Sequence, residues 1–108
     1  MADVAWAACC YADWSGDAAF AAGSGHRILV ETARYWTSCI RVEHDGTAHL
    51  YGVIGPDEYH EQIDDSAFTN VMAAWNIARA LEAADFLRER HPDRWRAQIG
   101  RASCRERV

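Results

Sequence analysis

The segment Val53–Leu81 reads VIGPDEYHEQIDDSAFTNVMAAWNIARAL and joins an acidic turn directly to a long helical pattern. Gly55 and Pro56 end any preceding strand, since proline has no N–H for a sheet ladder and fixes its own φ angle. From Ala67 onward, apolar residues recur at spacings of three and four, which is typical of an amphipathic helix. The segment therefore predicts a charged loop followed by a helix from about Ala67 to Arg90. The apolar stripe of that helix is predicted to contain Phe68, Val71 or Met72, Trp75, Ala78 and Leu81.

Three further helices are predicted upstream of this segment. Asp3–Trp14 is rich in alanine, a strong helix former, and Ser15-Gly16-Asp17 supplies a stop and a new cap. A short helix is predicted from Asp17 to Ala22, and Gly23-Ser24-Gly25 is predicted to interrupt it. A longer helix then follows from His26 to Ile40, with one broad apolar face.

A change of period after these helices predicts a small β-hairpin. Arg41–His44 and Ala48–Val53 alternate in the manner of strands and flank Asp45-Gly46, a dipeptide typical of hairpin turns. At the far end of the chain, His91-Pro92 ends the long helix, and Asp93–Arg96 reads as the opening of another. The pattern thus predicts a mainly α chain with one hairpin before the acidic loop.

The composition disfavours several classes of protein. The chain of 108 residues carries 11 Lys and Arg against 16 Asp and Glu, whereas nucleic acids and anionic membranes bind basic surfaces. We therefore predict neither a nucleic-acid nor a membrane partner. Met1–Tyr11 has no basic residue and is too short to span a bilayer, so a cytoplasmic location is predicted.

The cysteines fit neither a zinc-ligand spacing nor a disulfide framework and are interpreted as reduced, buried thiols: Cys9, Cys10, Cys39 and Cys104.

The aromatic residues outside the acidic loop are interpreted structurally. A tryptophan at helical spacing brings a large area to bury, so most of the tryptophans are predicted to be core residues rather than platforms for sugar rings. His26, His44 and His49 lie at a helix start and in the hairpin, and they are predicted to be surface or capping groups. The tryptophans are Trp6, Trp14, Trp36, Trp75 and Trp95.

The final segment, Ile99–Val108, differs from everything before it. It reads IGRASCRERV, and arginines crowd a stretch that has no apolar period. This string resembles the translation of a common sequencing adapter, so residues 99–108 are predicted to be a non-native tail that cuts off the last helix. Residues 1–98 then form the authentic part. The nucleotide sequence tests this prediction, because any codons other than those of the adapter would contradict it.

The acidic loop admits three interpretations from spacing alone. Its carboxylates can cap the next helix, as charged loops commonly do. A divalent metal site is disfavoured, because the spacing matches neither an EF-hand loop nor a His-x-x-x-His pair. A catalytic carboxyl, held neutral near pH 7, could instead protonate a leaving glycosidic oxygen. Spacing does not distinguish Glu58 from Glu61 in that role. The ionisable residues are Asp57, Glu58, His60, Glu61, Asp64 and Asp65.

The strings GPDEYHE, at residues 55–61, and AFTNVMAAWN, at residues 67–76, resemble glycoside hydrolase family 65. Maltose, kojibiose and trehalose phosphorylases belong to that family. The resemblance covers about Ala2–Arg96, so Met1 is interpreted as an internal start in a truncated gene. It implies that Glu58 is the general acid and that His60, Thr69 and Asn70 border the sugar pocket. The sequence departs from the family at residues 64–66, where Asp-Asp-Ser replaces the usual Asp-Asn-Asn; this change alters either acceptor recognition or a helix cap.

The resemblance also implies a reaction and an architecture. Inorganic phosphate would attack the anomeric carbon of an α-glucosidic disaccharide, with inversion, to give β-glucose 1-phosphate, and no other cofactor is implied. The parent fold would be an (α/α)6 barrel, of which this chain holds a few helices, so we expect it to be inactive alone and to expose apolar surface. Two alternatives stay open: a hydrolase of the same family, and a small helical interaction module without catalysis. The oligomeric state also stays open, a homo-oligomeric parent enzyme being one option.

Overall fold

The computed structural model describes residues 1–57, 59 and 61–105, and of residues 99–105 the backbone alone. The predicted fold class, mainly α with one small hairpin, is confirmed. Within the described ranges, no helix has the length and apolar character needed to cross a membrane. In chain order the elements are α1 (Ala2–Ser15), α2 (Ala18–Phe20), a π-helical turn (Ala21–Gly25), α3 (His26–Cys39), β1 (Arg41–Val42), β2 (Ala48–His49), α4 (Ala67–Arg90) and α5 (Pro92–Arg105).

Helix α1 begins and ends where its sequence predicts. Gly16 adopts a left-handed conformation, with φ at 65°, and its N–H donates to the carbonyl oxygen of Ala12. Glycine reaches this conformation without the steric cost that a Cβ imposes, which is why it commonly ends helices. Asp17 then caps α2, since its Oδ1 accepts from the N–H of Phe20 at 2.9 Å.

The glycines at positions 23 and 25 do not interrupt the helical path, so that prediction is wrong. The chain continues from α2 into α3 through the π-helical turn. Gly25 allows this because it lies against the Phe20 ring: a Cβ at position 25 would stand 2.9 Å from Phe20 Cε1. The Phe20 ring in turn packs edge-on against Tyr11 of α1, with ring centroids 4.7 Å apart. Small residues therefore widen the turn rather than break the helix.

The core lies where α1, α3 and α4 meet. Its buried apolar members are Ala5, Leu29, Ala33 and Ala80, and α3 and α4 share the most extensive contact in the chain. Alanine at most of these positions lets the helices approach closely, because little side chain separates their backbones. A buried polar side chain, Asn76, also lies between α3 and α4.

The buried face of α4 differs from the predicted apolar stripe. The chain buries Thr69, Ala73, Asn76, Ala80 and Leu87, most of them small or polar. Phe68, Val71 and Leu81 of the predicted stripe are 56%, 66% and 63% exposed. These three side chains lie outside the contact of α4 with α1 and α3, where the small residues Ala73 and Ala80 are buried, whereas Trp75 packs against the edge of the core. Apolar surface is thus exposed on α4, as expected for this chain.

The predicted burial of the tryptophans and cysteines holds only in part. Trp6 and Trp14 are 53% and 85% exposed, because the side of α1 that packs in the chain is the alanine face. Trp36, Trp75 and Trp95 are half-buried. The cysteine side chains that the structure describes are free thiols, and they too are half-buried rather than buried.

His26 is buried, at 2% exposure, so its prediction as a surface or capping group is wrong. The helical path does not break at Gly25, and His26 therefore lies within a continuous helical stretch that packs against α4. Loss of hydration lowers the pKa of its imidazole, and contacts with Gln98 and the backbone of Ala83 partly offset this effect. His26 is consequently a neutral core residue near pH 7.

The C-terminal helix α5 passes through the predicted boundary at Ile99. Its backbone stays helical to Arg105, so the expectation that the helix stops at the tail is wrong. The predicted end of α4 is confirmed, because His91 donates its N–H to Leu87 and Pro92 starts the next helix. The adapter origin of residues 99–108 stays a prediction.

Candidate active-site loop

A short hairpin leads into the acidic loop. Arg41 pairs with His49 and Val42 with Ala48 in antiparallel register. Gly46 takes a φ of 85° in the turn, as the Asp45-Gly46 dipeptide predicts. Asp45 Oδ1 accepts from both the N–H and the hydroxyl of Thr47, at 2.9 and 2.6 Å. The hairpin is therefore held by its turn as well as by its strands.

The acidic loop is closed at its base by a backbone bridge. Val53 and Ile63 exchange two N–H···O=C bonds, each 2.9 Å long. Two residues further on, the N–H of Asp65 donates to the carbonyl oxygen of Leu50 at 2.8 Å. The chain thus returns alongside the extension of β2 before it enters α4. The acidic segment is thus joined at its two ends by Val53 and Ile63, a feature that the sequence pattern did not predict.

The sequence allows Asp64, Asp65 or Ser66 as the N-cap of α4, and the two aspartates do not take that role. Asp64 Oδ1 accepts from the N–H of Gly52, and Asp65 Oδ1 from the N–H of Leu50, both at 3.0 Å. Ser66 is the N-cap residue, and among the described residues its side chain makes no capping bond. The carboxylates turn back because backbone donors beyond β2 lack strand partners there, and a carboxylate satisfies such donors well.

His49 connects the hairpin to the far end of the loop. Its Nδ1 lies 2.6 Å from Asp65 Oδ2, and its Nε2 lies 2.9 Å from Thr47 Oγ1. The ring stacks on Tyr51, whose hydroxyl donates to Glu43 Oε1 at 3.0 Å. The Asp65 carboxylate raises the pKa of His49, and the imidazole lowers the pKa of Asp65. His49 is partly exposed, and it also bonds a residue outside the hairpin, which the prediction of a surface or capping group did not include.

Two residues beside the bridge adopt left-handed backbone conformations without being glycine. Gln62 has a φ of 54° and Asp65 a φ of 53°. A left-handed conformation costs a non-glycine residue on the order of 1–2 kcal/mol, somewhat less for Asp. Such conformations persist where surrounding bonds over-determine them, and they concentrate at functional sites. The bonds of Ile63 and Asp65 to the β2 extension supply that constraint here.

Thr69 and Asn70 lie in the first turn of α4 but line different cavities. Thr69 faces a groove of about 660 Å³, which the residues 50–56 and the rings of Trp36 and Phe68 also line. Asn70 faces a second groove of about 430 Å³, together with His49 and Leu50. The structure therefore places Thr69, and not Asn70, in the groove beside the segment that enters the acidic loop.

A sequence comparison identifies the family to which this loop belongs. The model of the glycosyl hydrolase family 65 central catalytic domain matches residues 1–103. The chain belongs to glycoside hydrolase family 65. The resemblance seen in GPDEYHE and AFTNVMAAWN is thereby confirmed.

Several curated proteins share this family 65 sequence. The kojibiose phosphorylase of Thermoanaerobacter brockii is 38% identical over 104 residues, which cover 95% of this chain and 13% of the relative. The kojibiose phosphorylase of Escherichia coli is 41% identical over 85 residues, which cover 78% of this chain and 11% of the relative. An uncharacterized glycosyl hydrolase of Mycobacterium tuberculosis is 41% identical over 93 residues, which cover 78% of this chain and 7% of the relative. The family 65 chain thus spans 13% or less of each of these three relatives.

The predicted acid and one predicted contact of the family 65 chain, Glu58 and His60, lie outside the described residues. Their roles stay predictions. Next to them, Asp57 Oδ1 accepts from the N–H of Tyr59 at 3.1 Å, and the Tyr59 side chain is almost fully exposed. In the ranges that the structure describes, no three His, Cys, Asp or Glu side chains are grouped so as to hold a metal ion.

Sequence reasoning missed His49 as a member of this site in the family 65 chain. The contact with Asp65 joins residues 16 positions apart, so no local pattern predicts it. The available signal was the pair of adjacent carboxylates Asp64-Asp65, of which the second is the partner of the His49 imidazole.

Proposed function

We propose that this chain is the acid-bearing segment of an inverting α-glucosyl disaccharide phosphorylase. The observation that carries the proposal is the loop closed by Val53 and Ile63, which holds the sequence GPDEYHE. Membership of family 65 supports it, as do relatives named kojibiose phosphorylase. A closed loop beside a groove lined by aromatic rings suits a proton donor, because catalysis depends on holding that group in one geometry.

The proposed reaction breaks one bond and forms one bond at the anomeric carbon. An oxygen of inorganic phosphate attacks that carbon from the face opposite the glycosidic oxygen, so an α-linkage gives β-glucose 1-phosphate. As the C–O bond to the leaving sugar breaks, the protonated carboxyl of Glu58 delivers its proton to the departing oxygen. Phosphate supplies its own nucleophilic oxygen, so no catalytic base and no further cofactor is required.

The acid role requires a carboxyl group that is protonated in the resting enzyme. Asp57 and Glu61 flank Glu58 closely in sequence, and like charges near one another disfavour ionisation of another carboxyl group. Tyr59 and His60 supply side chains that can donate hydrogen bonds to a sugar. We propose His60 and Thr69 as contacts of the sugar pocket. Asn70, the third predicted contact, faces the other groove, beside His49.

The activity is proposed for the parent enzyme rather than for the 108 residues alone. This chain spans 13% or less of the length of the named relatives compared above. We propose a cytoplasmic parent enzyme, and we expect no turnover by the isolated chain.

A hydrolase of the same family is the second candidate. The relatives from Mycobacterium tuberculosis that are named glycosyl hydrolases favour it. An inverting hydrolase needs a second carboxylate, about 6.5–9.5 Å from the acid, to activate water. Phosphate dependence separates the two candidates, since a hydrolase releases free glucose without phosphate.

A graft tests the proposal. Residues 1–98 of this chain replace the matching segment of the Thermoanaerobacter brockii kojibiose phosphorylase, and the release of glucose 1-phosphate from kojibiose is measured. Glu58→Gln is expected to lower kcat by at least about 100-fold, the typical loss for a general acid. Glu61→Gln is the matched control and should stay within a few-fold of the parent graft. Near-normal turnover by Glu58→Gln, or phosphate-independent release of glucose, would contradict the proposal.

A further inference from the structure

The protonation state of His49 follows from its hydrogen-bond partners. The Thr47 hydroxyl has one proton and donates it to Asp45 Oδ1 at 2.6 Å. Toward His49 Nε2, 2.9 Å away, Thr47 Oγ1 can therefore only accept. The ionised carboxylate of Asp65 is also an acceptor only, and it lies 2.6 Å from Nδ1. Both ring nitrogens must donate, so this arrangement holds the imidazolium form.

The charges around His49 agree with that assignment. The hydrogen bond to Asp65 raises the pKa of His49 most, the charges of Glu43 and Asp45 raise it further, and loss of hydration opposes them. Arg41 is the strand partner of His49 and a cation that opposes protonation. Tyr51, which stacks on the ring, stays neutral because the Glu43 carboxylate raises the pKa of its hydroxyl.

Asp65 transmits the state of His49 to the base of the loop. Its Oδ2 faces His49, its Oδ1 accepts from the N–H of Leu50, and its own N–H donates to the carbonyl oxygen of Leu50. Asp65 also holds a left-handed backbone two residues after Ile63, which closes the loop with Val53. When the imidazolium loses its proton, the proton leaves from Nε2, which faces the hydroxyl oxygen of Thr47. The bond from Nδ1–H to Asp65 then loses its charge assistance, and the constraint on Asp65 weakens.

We propose that protonated His49 is a positioning residue for the loop that Val53 and Ile63 close. Only its effect on turnover rests on the proposed function. The direction of the pH effect follows from the raised pKa of His49, because the imidazolium is present below that pKa and is lost as the pH rises through it. The loop is accordingly held at neutral and mildly acidic pH, and it loosens on the alkaline side.

An NMR titration of the 108-residue chain tests the ion pair directly. His49 is expected to titrate above the ordinary histidine value of about 6.5, and the amide resonances of Val53 and Ile63 should shift with the same midpoint. Asp65→Asn keeps an acceptor for Leu50 but removes the charge, and should lower the midpoint by at least about half a pH unit. His44, an exposed histidine in the same hairpin, is the internal control.

Two results would overturn the proposal: a His49 midpoint at or below the ordinary value, or amides of Val53 and Ile63 that do not follow it. Where the isolated chain gives a poorly dispersed spectrum, the same histidine signals are titrated in the grafted phosphorylase, and the same results decide.

Turnover by the graft provides a second readout. His49→Gln is expected to lower kcat by about 10-fold with KM within about 2-fold, since a loop misplaced by a fraction of an ångström loses rate more than binding. It should also remove the alkaline fall of kcat that accompanies loss of the His49 proton. His44→Gln should change neither quantity. An unchanged pH profile in His49→Gln contradicts the positioning role, whereas a graft inactive with His49 intact counts against the proposed function and leaves the titration decisive.

Discussion

The side chain of Asn76, fully buried in α4, donates its Nδ2 to the carbonyl oxygen of Leu29 in α3 at 3.3 Å. The two residues are 47 positions apart, and this bond ties the helix before the hairpin to the helix after the acidic loop. Asn76 Oδ1 is also buried and finds no partner among the described residues. A buried polar atom without a partner costs free energy, so the amide is kept in the core at some expense.

Substitutions of Asn76 test how much its buried hydrogen bond contributes to the stability of the fold. Asn76→Ala is expected to reduce the free energy of unfolding by about 1–3 kcal/mol, because it removes a buried hydrogen bond and leaves a small cavity. Asn76→Asp should cost more, since it buries a charge against the Leu29 carbonyl oxygen. Urea denaturation measures both, with exposed Ser38→Ala as the control. A loss below about 0.5 kcal/mol for both variants would show that the contact does not hold α3 to α4.

The π-helical turn predicts opposite effects for two alanine substitutions. Gly25→Ala places a Cβ 2.9 Å from Phe20 Cε1 and 3.1 Å from the Phe20 carbonyl oxygen. We expect a net loss of about 1–3 kcal/mol, because overpacking outweighs the gain in helix propensity. Gly23→Ala is the matched control: its Cβ meets open space among the described atoms, and it should stabilise the fold by roughly 0.5–1 kcal/mol. Thermal unfolding of the two variants against the parent measures the difference, and a stabilising Gly25→Ala would exclude the close packing of Phe20.

The buried His26 predicts a loss of stability in mild acid. Its folded pKa is lowered by loss of hydration, whereas the unfolded chain titrates near 6.5. Below that value the unfolded chain binds a proton that the folded chain does not, so stability falls as the pH decreases through 6.5 toward the lowered pKa. His26→Gln should flatten this part of the profile. The free energy of unfolding, measured between about pH 5 and 8, tests the prediction, and an unchanged slope in His26→Gln would contradict it.

The ion pair between His49 and Asp65 also makes the stability of the fold depend on pH, but over a different range from that of His26. The raised pKa of His49 gives a contribution that is complete below about 6.5 and disappears as the pH rises through the folded pKa. The lowered pKa of Asp65 gives one that is complete above about 4 and disappears as the pH falls through its folded value. Asp65→Asn should therefore destabilise the chain most between those limits. An equal effect of Asp65→Asn at about pH 9 would contradict it.

The exposed face of α4 predicts self-association of the isolated chain. Phe68, Val71 and Leu81 present large apolar side chains to solvent. Val71→Lys is expected to lower the binding of an apolar fluorescent dye and the sedimentation-average mass, while changing stability by no more than about 0.5 kcal/mol. Glu89→Lys introduces the same side chain at the polar end of α4 and should leave both quantities unchanged. A parent chain that is monomeric and binds no dye would contradict the prediction.

Local signals predicted most of the fold. The alanines before Gly16, the Asp45-Gly46 turn and the spacing from Ala67 to Arg90 each encode their structure within a few residues, and the structure follows them. The face of α4 could not be predicted in this way. Periodicity ranks faces by apolar size, whereas the close approach of α1 and α3 selects the small side chains of Ala73 and Ala80.

In the candidate site, too, local features could be predicted from the sequence, whereas contacts between distant residues could not. The acidic loop and its family were evident from GPDEYHE, because the motif is contiguous. The closure of the loop by Val53 and Ile63, and the turn of Asp65 toward His49 rather than toward α4, depend on pairings across ten or more residues. The burial of His26 likewise depends on α4 and not on its neighbours in sequence.

The bridge between Val53 and Ile63 joins the two ends of the acidic loop to each other. The ends are bonded before the chain reaches α4, so one isolated β-bridge sets the distance between them. Side-chain changes between Val53 and Ile63 are therefore expected to leave the register of α4 unaltered.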